Sequence, residues 1–398
     1  MDEKTVFISL LRDYVNASEE CSVNKTFDYE LVYDLAKIHS LGGVFAVIKN
    51  KYSINFPKQI SEKLDLMLAA TVKQSVVWEY LYNEVSKALS DNEVTNIVVK
   101  GPVVKRYYPD PDLRSMGDLD LVVNIKDIPK AKNVMEKMGF KLENGSNDEY
   151  KYCRNGLYVE LHEDLTSRNY GTGVNYKKEM QNLFANTIDQ NNYSTELTEE
   201  YHLIYLMLHT AQHLTGMGCG VRQILDIAFF VKNGNADLSV VRQIADELKL
   251  TKFCETMFFV CKKWFGIDCT DYIPNLKWIE KLEDYIISGG TFGFEDSFDR
   301  ATDWVARDGV YERNRLVFFW KRLFPDIEVM RKKVLWFADK PAVFLPFAYV
   351  FRWVRSGIKH PKEIILYMKK IIVDKKKVEE NLDFMRELGF YKKDSERR

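Results

Sequence analysis

Apolar positions recur along this chain with two different periods, and the period switches twice. Over the first 90 residues the spacing is three to four. "DYELVYDLAKIHSLGGVFAVI" places Leu31, Leu35 and Ile38 on one helical face, and Gly42-Gly43 reads as its stop. From about residue 62 to 90, "EKLDLMLAATVKQSVVWEYLYNEVSKAL" repeats the spacing and fits one long helix or two. The period then drops to two. "NIVVKG", 96–101, predicts a short β-branched strand ending at glycine, and "VVKRYYPDPDLRSMG" starts helical before Pro109 and Pro111 break it. In "DLDLVV", Asp118 and Asp120 share one face while Leu119 and Leu121 take the other. "KDIPKAKNVMEKMGF" predicts a helix with Ile128, Ala131, Val134, Met135 and Met138 as its stripe, closed by Gly139. "EYKYCRNGLYVELHEDL" predicts a hairpin turning at Asn155-Gly156 in type I′ geometry. On its second strand Tyr158, Glu160 and His162 face one way, and Leu157, Val159 and Leu161 the other. From about 180 onward the pattern is helical and rich in aromatics, with no strand-length alternation.

The layout is therefore α+β: an N-terminal helical region, 1–90, a small mixed α/β core, 91–185, and a C-terminal helical region, 186–398. Composition fits a soluble globular protein, with 46% hydrophobic and 29% charged residues. A length of 398 residues supplies ample core for two or three domains. A net charge of -1 lacks the basic footprint of a protein that grips long nucleic acid. The six cysteines form no CxxC pair and read as thiols in a reducing, cytoplasmic setting. The N-terminus lacks the basic and small-residue signals of a secretory leader. The longest apolar stretch, "PAVFLPFAYVF" at 341–351, is shorter than the roughly 20 residues of a membrane span. A core helix is the preferred reading over an interfacial segment between "DK" and "RWVR". The charged tail "DKKKVEENLDFMRELGFYKKDSERR" reads as a solvated helix with a frayed end.

The chemistry concentrates in the middle. Two aspartates at i and i+2 on a strand lie about 6.5 Å apart on one face, and like charges that close raise each other's pKa. A divalent cation removes that conflict: Mg²⁺ takes oxygen ligands and keeps sites for substrate phosphates. Glu160 is a third acid on an alternating strand, and Lys100-Gly101 ends a strand where backbone N–H groups can approach a phosphate. The plainer reading is that D-x-D marks the wet face of a half-exposed sheet.

The order of these pieces resembles the nucleotidyltransferase superfamily related to DNA polymerase β. The closer resemblance is to a bacterial family of uncharacterised nucleotidyltransferases. It is carried by "VVKGPVVKRYYPDPDLRSMGDLDLVV" and "YVELHEDL", and extends to "LHTAQHLTGMGCGVRQILDIAFF", "GGTFGF", "RLFPDIEVMR" and "LPFAYVFRWVR". The resemblance implies a polymerase-β-like core. Asp118 and Asp120 would be metal ligands, Glu160 a third ligand or base, and Gly101 the glycine at the phosphates. Mg²⁺ or Mn²⁺ would serve as cofactor and a nucleoside triphosphate as substrate. One departure stands out: Pro102 follows that glycine, where the superfamily has Gly or Ser, and proline has no N–H to offer.

Four further residue sets have two readings each. Lys100 is either a phosphate-binding cation or a strand-end charge. Arg114 either clamps triphosphate or salt-bridges an aspartate. His209 and His213 share a helix face, as a zinc pair or as buried hydrogen-bonded histidines. Arg222 and Asp226 sit four apart and could pair on a helix; the resemblance covers this pair and the histidine pair, and implies that both line the acceptor pocket. The expected activity is metal-dependent transfer of a nucleoside monophosphate to a hydroxyl acceptor. The acceptor would be a small molecule, a sugar or a protein side chain, not a long nucleic acid. The rivals are a degenerate binding protein of the same fold and a membrane-surface accessory protein of a cell-envelope pathway, docking through 336–356.

Overall fold

The computed structural model describes residues 2–24, 26–145, 149–163, 170, 172–189, 192–215, 218–290, 323–327, 330–331, 334–337, 340–359 and 375–391. Four helices open the chain: α1 (Glu3–Val15), α2 (Tyr29–Ile38), α3 (Gly42–Lys51) and α4 (Lys58–Asp91). The carboxylates of Asp2 and Asp28 cap α1 and α2 by accepting from the Thr5 and Leu31 N–H groups. Residues 58–91 form a single helix, the first of the two sequence readings.

The glycine pair corrects an expectation. Gly42 and Gly43 do not end α2 but open α3. A Cβ on Gly42 would stand 2.2 Å from Met67 Cε, so the missing side chain is what lets α3 lie close on α4. The buried stripe of α2 is also shifted. Val32, Leu35 and Ala36 are buried, whereas Leu31 and Ile38 are 45% and 43% exposed.

Next come β1 (Asn96–Val98), α5 (Gly101–Val104), β2 (Leu119–Val123), α6 (Ile128–Lys137), β3 (Lys141–Gly145), β4 (Glu149–Arg154) and β5 (Leu157–His162). After α7 (Tyr176–Leu183) follows β6 (Ser194–Glu196). The strands form one mixed sheet in the order β3-β4-β5-β2-β1-β6. β2 runs parallel to β5 and antiparallel to β1, while β4 and β5 form the expected hairpin. Asn155 and Gly156 both take positive φ, as a type I′ turn requires. β6, three residues long and parallel to β1, lies in the region expected to hold no strand. Three residues are too few to show alternation, and pairing with β1 alone creates it.

One face of the sheet is the core. Leu119, Leu121, Val123, Val159 and Leu161 pack there against Trp78, Leu81 and Val85 of α4 and Ile128, Ala131 and Met135 of α6. That is the α+β core expected from the pattern, with helical segments on either side of it in the chain. α8 (Glu199–Leu214), α9 (Val221–Asn233), α10 (Leu238–Glu247), α11 (Thr251–Phe265) and α12 (Leu276–Gly289) follow. All six cysteines are free thiols, four of them buried.

The chain divides into two compact units, and everything so far belongs mainly to the first. In the second, α13 (Leu345–Lys359) is not the core helix expected of 341–351. Ala348 is buried with Met330, Val334 and Phe337, but Phe347, Val350, Phe351 and Val354 are exposed. Their spacing of three and four places them on one face, and only the opposite face is covered. α14 (Lys375–Glu387) is likewise not simply solvated. Phe384, Met385, Leu388 and Phe390 are buried, and Phe390 packs on Tyr170. The frayed end and "GGTFGF" beyond Gly290 lie outside the described residues. Among the described residues no helix is long and apolar enough to cross a membrane.

Candidate active site

The face of the sheet opposite the core carries the charged residues. Because Leu119, Leu121, Val159 and Leu161 point inward, alternation sends Asp120, Glu160 and His162 outward together. The parallel register sets Asp120 directly beside Glu160, and Val122 beside His162. His162 Nε2 lies 2.8 Å from Asp120 Oδ1 and 3.8 Å from Glu160 Oε2. One donor atom from each of the three falls within 4.8 Å of the others. This is not a wet sheet face, since Asp120 is only 3% exposed. Asp118 lies just ahead of β2, half-buried.

Buried carboxylates need counter-charges. Lys100 Nζ stands 2.6 Å from Asp120 Oδ1, and Lys151 Nζ 2.7 Å from Glu160 Oε1. Burial works against the Lys100 ammonium, but Asp120, Tyr205 and Asp118 outweigh it and hold its pKa above the ordinary value. Burial likewise favours neutral Asp120, yet Lys100 and the His162 hydrogen bond keep it ionised far below its usual range. Asp118 goes the other way. Burial, then the charges of Asp120 and Glu160, push it up to about 6.

Lys100 is fixed at both ends. Its backbone takes φ +58°, uncommon outside glycine, and its N–H donates to His202 Nε2 at 3.2 Å. The next residue is a glycine for packing reasons. A Cβ on Gly101 would stand 2.5 Å from Met116 Cε and 3.0 Å from Arg114 Nη1. Pro102 sits in the first turn of α5, where a missing N–H breaks no helical hydrogen bond. The N–H groups of Val103 and Val104 both donate to Lys100 O, at 3.2 and 2.8 Å.

Arg114 takes the salt-bridge alternative. It grips Asp226 with two hydrogen bonds, Nε to Oδ1 at 3.1 Å and Nη2 to Oδ2 at 2.8 Å. Tyr108 donates its hydroxyl to the same Oδ1 at 2.8 Å. Asp226 is thereby used up, and the i,i+4 pair with Arg222 does not form. Arg222 instead donates through Nη1 to the carbonyl and hydroxyl oxygens of Ser115, at 3.2 and 3.1 Å.

α8 closes the site from above the charged face. His202, Tyr205 and His209 follow one another at helical spacing. Burial, then Lys100 and His213, hold His209 well below its ordinary pKa, so its ring is neutral. It meets His213 edge to face at 4.4 Å. Neither histidine belongs to the Asp120–Glu160–His162 cluster. His162, His202 and Tyr205 were not singled out from the sequence. The alternation of β5 already placed His162 beside Glu160. Nothing local marks His202 or Tyr205, because only the packing of α8 brings them to Lys100.

A mixed sheet that presents acids from adjacent parallel strands beside a lysine-glycine turn defines a nucleotidyltransferase-type core. The family model described as uncharacterised nucleotidyltransferase matches residues 25–266, more than half of the chain, and the protein belongs to that family. No curated protein and no solved structure matches the chain.

Proposed function

We propose that the protein transfers a nucleoside monophosphate from a nucleoside triphosphate to a hydroxyl acceptor, with Mg²⁺ or Mn²⁺ held by Asp120 and Glu160 and completed by Asp118. The observation that carries this reading is the register of β2 on β5, which sets Asp120 against Glu160 with His162 in hydrogen-bond range. The two carboxylates suit Mg²⁺ or Mn²⁺, and the His162 ring lies within reach of both. When bound, the cation would neutralise charge on the phosphates and on the oxygens entering and leaving phosphorus. The acceptor oxygen forms a bond to the α-phosphorus, the bond to pyrophosphate breaks, and the acceptor proton passes to a site carboxylate. Lys100 holds Asp120 ionised, and a bound cation would add a second counter-charge there. Near-neutral net charge favours a small molecule, sugar or protein side chain over a long nucleic acid as acceptor.

The test is incubation with each labelled nucleoside triphosphate, Mg²⁺ or Mn²⁺ and a cell lysate. The wild type should label an acceptor and release pyrophosphate only with metal. Asp120→Asn and Glu160→Gln should each lower transfer by a factor of about 10² or more, as loss of a group stabilising transition-state charge does. Transfer unaffected by either substitution, or none by the folded wild type, would count against the reading.

A further inference from the structure

Four cationic side chains surround the carboxylate cluster, and three of them are spoken for. Lys100 pairs with Asp120, Lys151 with Glu160 and Arg114 with Asp226. The fourth, Arg222, has no carboxylate partner among the described residues. Its Nη1 leans on Ser115, three residues before Asp118, and its Nε is shut off from water with no hydrogen-bond acceptor among the described residues. Burial, and the nearby Arg114 guanidinium, depress its pKa, with Asp226, Tyr108 and Asp118 opposing. A half-buried guanidinium whose nearby carboxylate, Asp226, is already gripped by another arginine is an arrangement that folding alone disfavours. A bound anion would supply both the missing charge and the missing acceptor.

The turn that carries Gly101 makes the need specific. Pro102 has no N–H, and those of Val103 and Val104 are committed to Lys100 O. A phosphate chain arriving at Asp118 and Asp120 therefore finds few backbone donors. We infer that Arg222 takes over that task and receives the phosphate chain of the substrate, its planar fork matching phosphate oxygens. The identity of the anion as a triphosphate rests on the function proposed above; the anion site itself rests on Arg222.

The experiment is titration calorimetry with sodium tripolyphosphate in EDTA, which excludes metal-held binding. Wild type should bind, Arg222→Met should bind at least tenfold more weakly, and Arg222→Lys should fall between. Arg222→Met gives up only the two hydrogen bonds to Ser115 and no ion pair, so its ligand-free urea midpoint should stay close to that of wild type. If Arg222→Met does not fold, Arg222→Gln, which keeps a donor to Ser115, serves in its place. Equal affinity of the neutral variants and wild type, or no binding by the folded wild type, would overturn the inference. The two readings fail separately. Transfer lost in Asp120→Asn with unchanged anion binding in Arg222→Met removes only the inference. Anion binding lost in Arg222→Met without any transfer by wild type removes only the proposed activity.

Discussion

Asp226 shows how one side chain decides what its neighbours can do. It lies on α9, four residues after Arg222, and local spacing favours that pair. The structure gives it instead to Arg114, 112 positions away, and to the Tyr108 hydroxyl. Burial is the reason. A bidentate guanidinium fork satisfies both oxygens of a carboxylate that water cannot reach. Burial and then Asp226 raise the Tyr108 pKa, so its hydroxyl stays a donor. Arg114→Met would strand the carboxylate, and urea denaturation should show a loss of about 3–5 kcal/mol. Arg114→Met with Asp226→Leu should recover most of that, leaving a deficit of about 1–3 kcal/mol for the orphaned Tyr108 hydroxyl. A double variant no more stable than the single one would show that the pair is not the source of the effect. The contrast marks what a sequence reveals at this scale. Asp120 and Glu160 could be put on one face because strand alternation is a local property, whereas Asp118, read as part of the same strand, falls just ahead of β2. The choice between Arg114 and Arg222 for Asp226 was not legible, because it is settled by which guanidinium arrives in the buried interior.

Elements were legible in proportion to their length and to the turn chemistry at their ends. The β4–β5 hairpin announces itself through Asn155-Gly156, and α6 through its apolar stripe and Gly139 at φ +82°. β6 could not be read from three residues. Gly42 misled for a different reason. Glycine after a helical pattern usually stops a helix, whereas here it stands inside a helix contact. The consequence is measurable. In Gly42→Ala the new Cβ meets Met67 Sδ at 2.5 Å and Met67 Cβ at 3.0 Å, so more than the flexible tip of that side chain must shift. Overpacking of this kind should lower stability by about 1–3 kcal/mol in chemical denaturation. Met67→Ala in the same background should return part of the loss, because the volume conflict disappears. If the double variant is merely the sum of its parts, the α3–α4 contact is not what Gly42 serves.

Across the first compact unit, the site depends on helices whose ends are held by neutral histidines. His39 accepts from the Val221 N–H through Nδ1 at 3.1 Å and so donates through Nε2 to Ile287 O at 2.9 Å. That one ring ties the start of α9, and with it Arg222, to the end of α12. His202 does the same for the Lys100 turn by accepting its N–H. Both bonds need an uncharged ring. Burial lowers His39 to about 4, helped by Arg222 against the Ile287 bond, and burial with Arg106 and Arg114 lowers His202 to about 3. The sign follows directly. The unfolded chain takes up these protons near pH 6.5 and the folded chain does not, so the unfolded state binds more protons as pH falls. The histidines' contribution is fully present above pH 6.5 and is lost progressively down to their folded pKa values. For His39 the loss by pH 4 is about 3 kcal/mol. Carboxylates titrate in the same window, so the decisive comparison is between proteins. Denaturation free energies measured from pH 7.5 to 4.5 should fall less steeply in His39→Gln, which keeps an acceptor and a donor but cannot protonate. The variant should be the weaker fold at pH 7.5 and lose its disadvantage towards pH 4.5. Parallel curves for the two proteins would mean that His39 is not held neutral, and that α9 is anchored by something other than this ring.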